Sequence, residues 1–144
     1  MSGTKQKSGY IAHVRENTRR YIVGTGGPGC IVDVRAVGGF LAGTIGPGAV
    51  HHVAFEVQSD PTELEMRERV TGAGLHPTHV YDRMYFHSVY FREPGGVLFE
   101  VATTGPGFAV DEDPANLGTA LKLPPWEEAD RSAIEAGLAP VVVR

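Results

Sequence analysis

A single cysteine, Cys30, leaves this chain without an internal disulfide and without a cysteine-based zinc knuckle. Long apolar runs are also missing. None approaches the about 18 residues that a membrane span requires, and the opening MSGTKQKSGY has no signal-peptide core. Basic charge is scarce and scattered: Lys and Arg number 13 against 17 Asp and Glu, a formal net charge of −4, which gives no electrostatic footprint for nucleic acid. These absences point to a cytoplasmic protein with neither a nucleic-acid nor a membrane partner.

What is present is the composition of a soluble domain. A chain of 144 residues with 42% apolar and 21% charged residues is large enough for one compact domain with a core. Its 19 glycines and 10 prolines form no low-complexity tract but fall between apolar runs, at GTGGPG, GTIGPG, EPGG and TGPG. That spacing punctuates strands with tight turns.

Residues 1–18 are expected to be a flexible lead. RRYIVG (19–24) reads as a strand, and GTGGPG turns it into a second, CIVDVRAV (30–37). A Gly-rich loop (38–48) leads to a third, VHHVAFEV (50–57). SDPTELEMRERVTGAG carries helix signals: Asp60 as N-cap, Pro61 at the first helical position, Glu63 three residues beyond the cap, and Gly72 and Gly74 at the end. Leu64, Arg67, Val70 and Ala73 give it a narrow stripe suited to covering one face of a sheet. THVYDRM (78–84), FHSVYFRE (86–93) and GGVLFEVAT (95–103) are three more strands, and the tail is loop with a short helix at PWEEADRSAIEAG (125–137). The expected class is α+β: a strand-helix-strand-strand-strand unit over 50–103, preceded by two strands of an incomplete neighbour.

An internal echo supports that incomplete neighbour. PGCIVDV (28–34) and GGVLFEV (95–101) share a glycine turn, a hydrophobic strand and one acidic residue at the same place, so Asp33 and Glu100 are quasi-equivalent.

Successive strand side chains point to opposite faces. His51, Val53, Phe55 and Val57 then share an apolar face that suits the helix, while His52, Ala54 and Glu56 share the other. In the final strand Val97, Phe99 and Val101 form the apolar face, with Leu98, Glu100 and Ala102 opposite. A carboxylate within a hydrophobic strand is costly to bury unless it is paired or coordinates a cation. In one curved sheet His52 and Glu100 meet on the concave side, and imidazole plus carboxylate is two-thirds of the triad that holds non-haem Fe(II). The same pattern fits a capped core histidine beside a salt-bridged glutamate. His76, His79 and His87 read as solvated or loop histidines, Cys30 as a core neighbour of Val32, and Trp126 as an anchor that docks the tail.

VHHVAFEV, DRMYFHSVYFREPGGVLFEVATTGPGFAVDED and NLGTALKLPPWEE resemble the C-terminal half of ring-cleaving dioxygenases of the vicinal oxygen chelate (glyoxalase/bleomycin resistance/extradiol dioxygenase) superfamily, and within it the hydroquinone type. The resemblance spans residues 19–136, leaving 137–144 as a tail. It implies a glyoxalase-like βαβββ module that pairs with another into an open, cupped barrel holding a metal. It also implies His52 and Glu100 as metal ligands, with His51, Arg83 and Tyr90 around the metal to orient substrate and move protons. Simple alternation sends His51 away from the cup, so its role requires a local twist where the strand begins.

The chain departs from the family at the third ligand, a second histidine on the opening strand of an N-terminal module, which is missing here. His13, Asp33 or a partner chain are the candidates to replace it. Three readings follow. The first is a subunit or C-terminal fragment of a ring-cleaving dioxygenase, using Fe(II), or Mn(II), to act on a dihydroxylated aromatic and O2. The second is a homodimeric glyoxalase-like isomerase with two His and two carboxylates. The third is a metal-free binding or assembly module. Two protein ligands alone bind weakly, so occupancy depends on the third ligand group and the reading allows an empty site in the isolated chain. The exposed concave face and edge strands lead us to expect a homo-oligomer or a partner that supplies the N-terminal half.

Overall fold

The computed structural model describes residues 13–15, 17–39, 41 and 43–139, with the backbone course alone at 13–15. It divides into two compact units, Met1–Thr44 and Ile45–Arg144.

In the first unit β1 (His13–Arg15), β2 (Thr18–Ile22) and β3 (Ile31–Arg35) form an antiparallel sheet in that order. β2 and β3 are the two expected strands. β1 falls within the lead expected to be flexible; three residues are too short to show alternation, and the strand is held by antiparallel pairing along the edge of β2. Residues 1–12 of that lead lie outside the described residues. Arg20 stands directly opposite Asp33 in the ladder. Its guanidinium grips both carboxylate oxygens, Nε to Oδ1 at 2.8 Å and Nη2 to Oδ2 at 2.7 Å.

The second unit has the expected element order: β4 (Val53–Val57), α1 (Asp60–Gly72), β5 (Tyr81–Asp82), β6 (His87–Arg92) and β7 (Leu98–Thr103). The sheet order is β4-β7-β6-β5. β4 runs parallel to β7, which requires a crossover, and α1 supplies it. The other pairs are antiparallel. Val57, Val89 and Val101 lie on the face that α1 covers and form the core with Val70 of the helix. Phe99 extends that face, meeting Phe55 and Phe91 edge-on at 5.1 and 5.7 Å between centroids.

Several local expectations are corrected. The helix N-cap is Ser59, whose hydroxyl accepts from the Thr62 amide, and not Asp60. That one-residue shift moves Glu63 out of the capping position and turns it inward, where it is fully buried. The inward row is therefore Glu63, Met66, Arg67 and Val70, spaced as one helical face, and Leu64 is left half-exposed. β4 starts at Val53, so His51 and His52 precede the strand rather than open it. β5 is only two residues long, because Thr78 is tied outside the ladder, its amide to the Tyr90 carbonyl and its hydroxyl to the Tyr90 amide.

The segment after β7 folds back over the turn between β5 and β6. The Gly107 amide donates to the Tyr85 carbonyl, Phe108 stacks on Tyr85 at 5.2 Å, and the Tyr85 hydroxyl donates to Asp111. A 3-10 turn (Glu128–Asp130) and α2 (Arg131–Gly137) follow, and Arg131 holds both Glu128 and Glu135. Trp126 does not anchor this tail: it is 56% exposed, in a turn that leaves most of the indole in solvent. Among the described residues no helix is long and apolar enough to cross a membrane.

Candidate functional site

The face of the second sheet that α1 leaves uncovered gathers the polar residues. Strand pairing puts Ala54 and Tyr90 on either side of Glu100. The small Ala54 leaves room above the carboxylate, and His52 reaches it from just before β4. His52 Nε2 lies 2.8 Å from Glu100 Oε2, and the Tyr90 hydroxyl donates to Oε1 at 2.7 Å. Glu100 is only 3% exposed, while the His52 side chain keeps 35% of its surface open. Both partners of this buried carboxylate are groups that can be neutral. Among the described residues no Lys or Arg pairs with it, so neither partner carries a permanent positive charge.

His51 joins the same cluster. Its Nδ1 lies 2.9 Å from Nδ1 of His52, with the rings edge-on at 89°. Alternation along a strand does not constrain it, because the backbone is irregular here. This removes the conflict over where His51 points. Only one proton can sit between the two Nδ1 atoms, so whichever ring donates there requires its neighbour to accept on a bare Nδ1.

Arg83 arrives from the turn between β5 and β6. Asp82 Oδ1 accepts the Met84 amide at 2.7 Å, and the Arg83 amide donates to the Phe86 carbonyl at 2.9 Å. Met84 takes a left-handed backbone (φ 66), a strained choice for a residue with a side chain. The turn brings Arg83 back over the sheet, 4.9 Å from the Tyr81 ring centroid and 5.5 Å from that of Tyr90, with Nη2 3.5 Å from the Tyr90 hydroxyl. His51, His52, Arg83, Tyr90 and Glu100 therefore form one continuous chain of contacts.

Other titratable groups stand apart from it. His87 lies on the opposite face and is not simply solvated: its Nδ1 is 2.8 Å from Asp60, and that hydrogen bond raises the imidazole above its ordinary value. Burial raises the Glu63 carboxyl, whose two oxygens have no hydrogen-bond partner. In the first unit Arg20 holds the Asp33 carboxyl below the usual range. The side chain of His13 is outside the described residues. Among the described residues no group of three His, Cys, Asp or Glu is placed to hold a metal. Sequence reading missed Tyr81, although the odd-numbered run His79, Tyr81, Arg83 carries the signal for one face of a strand.

No family model matches the chain. It is 44% identical over 102 residues to a Bacillus subtilis (strain 168) protein named as a ring-cleaving dioxygenase, MhqO, covering 71% of this chain and 33% of that one. It is 41% identical over 117 residues to the chlorohydroquinone/hydroquinone 1,2-dioxygenase of Sphingobium indicum, covering 78% and 36%. A Bacillus subtilis dioxygenase crystal structure superposes with a TM-score of 0.82 at 37% identity, over 94% of this chain and 44% of that one. The chain is similar over most of its length to proteins named ring-cleaving dioxygenases. A Frankia domain titled glyoxylase/bleomycin resistance protein/dioxygenase shares the superfamily fold, with a TM-score of 0.52 at 16% identity over 65% of this chain and 75% of that one. The chain spans about a third of the length of the curated relatives it matches.

Proposed function

We propose that this chain is a metal-holding module of a ring-cleaving dioxygenase acting on a dihydroxylated aromatic of the hydroquinone or catechol type. The observation that carries the reading is the convergence of His52, Tyr90 and Glu100 around a nearly buried carboxylate. A carboxylate without a permanently charged partner suits a divalent cation, and one imidazole with one carboxylate matches part of the donor set used for non-haem Fe(II). His52 and Glu100 would hold the ion, with the remaining donor from outside the described residues or from a partner chain, a second copy included. Fe(II), or Mn(II) in its place, would supply a path for electron density between the aromatic diol and O2.

The chain's own residues do the rest. Tyr90, fixed at its hydroxyl by Glu100 and approached by Arg83, is placed to hold or move a proton at a substrate oxygen. Arg83 presents a permanent charge to a substrate hydroxyl that ionises. His51, tied to His52, has its Nε2 free to take or give a second proton. Relatives named for ring cleavage support the reaction class. The test is oxygen uptake by the iron-loaded assembly with hydroquinones and catechols. Consumption that depends on the diol and is lost in Glu100→Ala is expected; an iron-loaded assembly that consumes no oxygen with either class overturns the reading.

A further inference from the structure

Arg83 is exposed, and among the described residues no carboxylate is paired with it. A free arginine side chain samples many rotamers, so its aim has to come from elsewhere. Two ring faces supply it. Tyr90 lies 5.5 Å from the guanidinium, but its orientation is already committed to Glu100 through the hydroxyl. Tyr81 lies closer, at 4.9 Å, and the His79 ring packs tilted against it with centroids 4.1 Å apart. Tyr81 also meets Tyr90 edge-on at 6.1 Å, which closes the slot in which the guanidinium sits. The β5–β6 ladder fixes the backbone of Tyr81 opposite Ser88, which is fully buried, so this ring is mounted on the rigid part of the sheet.

We propose that Tyr81 is a positioning residue of the centre: its ring face holds the Arg83 guanidinium beside the Tyr90 hydroxyl. The inference rests on the dioxygenase reading for its effect on turnover, but not for the placement itself. The ring matters and the phenol oxygen does not, so Tyr81→Phe preserves the effect and Tyr81→Leu removes it. A cation over a partly exposed ring sets the scale: kcat falls about threefold in Tyr81→Leu, with KM for the diol within about twofold of wild type.

Two measurements decide it. The first is the Arg83 Nε–Hε signal in NMR spectra of the purified chain, assigned by its loss in Arg83→Lys. Shielding by the two rings places it upfield; Tyr81→Leu moves it toward the position of a free arginine, and Tyr81→Phe leaves it in place. Tyr81→Met, which keeps volume without a ring face, gives the answer if the leucine variant disrupts β5. A signal that stays put in Leu and Met variants overturns the proposal. The second is steady-state kinetics of the iron-loaded assembly, where Tyr81→Phe must restore kcat. If no variant consumes oxygen but the NMR signal moves, the functional reading has failed and the placement stands. If turnover is normal and the signal does not move, the placement has failed and the functional reading stands.

Discussion

The two hairpins that echo each other in sequence place an acidic residue against a cross-strand donor in the same register. Asp33 faces Arg20 between β2 and β3, and Glu100 faces Tyr90 between β6 and β7. The outcomes differ because the donors differ. Arg20 occupies both oxygens of Asp33 with a permanent positive charge, and the side chains keep 49% and 40% of their surface open. Tyr90 and His52 take one oxygen of Glu100 each, in a carboxylate whose side chain is only 4% exposed. The first arrangement is complete as an ion pair; the second, among the described residues, has no permanently charged partner, and we assign that place to a cation. Glu63 is a third case, a buried carboxyl with no partner on either oxygen, which burial pushes toward the neutral form.

The contrast breaks most directly at the metal. His52→Ala or Glu100→Ala should weaken iron or manganese binding by the assembled protein by more than the about 100-fold at the upper end for losing an outer-shell partner. Asp33→Ala, His76→Ala and His79→Ala should leave metal content per chain unchanged. Loss of metal in Asp33→Ala would make the two carboxylates equivalent and end the distinction.

Stability sharpens it next. Tyr90→Phe strips the donor from a buried carboxylate oxygen and should cost about 1–3 kcal/mol in urea unfolding of the metal-free chain. Arg20→Gln, at an exposed pair, should leave the urea midpoint unmoved. Equal costs would mean that burial is not what separates the hairpins.

Glu63 gives a smaller effect that depends on pH. A carboxyl raised in the folded state is protonated in both states at pH below about 4, so it then imposes no penalty. As pH rises, the unfolded chain ionises first and the fold loses stability relative to it. Glu63→Gln should therefore match wild type near pH 3 and melt higher at pH 7. Coincident thermal profiles at both pH values would show that this carboxyl is not held neutral.

The smallest effect belongs to the other His–carboxylate pair. His87 is raised by Asp60, so their contribution is fully present below the histidine's ordinary value of about 6.5 and fades as pH climbs through the raised one. Asp60→Asn should cost less than about 1 kcal/mol at pH 6, since both side chains are more than a third exposed. It should cost less at pH 9, where only the favourable placement of the Asp60 charge at the α1 N-terminus remains.

The strands that carry the centre were legible because alternation is strong there. FHSVYFRE and GGVLFEVAT set Tyr90 and Glu100 on one face, and β6 and β7 put them directly opposite each other. Where the backbone leaves regular geometry, periodicity says nothing. His51 and His52 sit ahead of β4, Arg83 is aimed by a turn with a left-handed Met84, and Glu63 is buried because the helix cap lies one residue earlier than its acidic neighbour suggested. Tyr81 was missed for another reason: the alternation of His79, Tyr81 and Arg83 shows a shared face, but not the contact of the Tyr81 ring with the Arg83 guanidinium.

The parallel pairing of β4 with β7 has a kinetic consequence. β6 and β7 are joined by the short turn 93–97 and can zip locally, whereas β4 must close a loop that spans α1, β5 and β6 before it meets β7. His52 travels with the late strand, and Glu100 waits on the early one. An ion gripped by both would act after the folding barrier has been crossed, so loading should lengthen the lifetime of the native state while hardly hastening its formation. The centre would then also serve as a clasp that keeps the last-docked strand from peeling away.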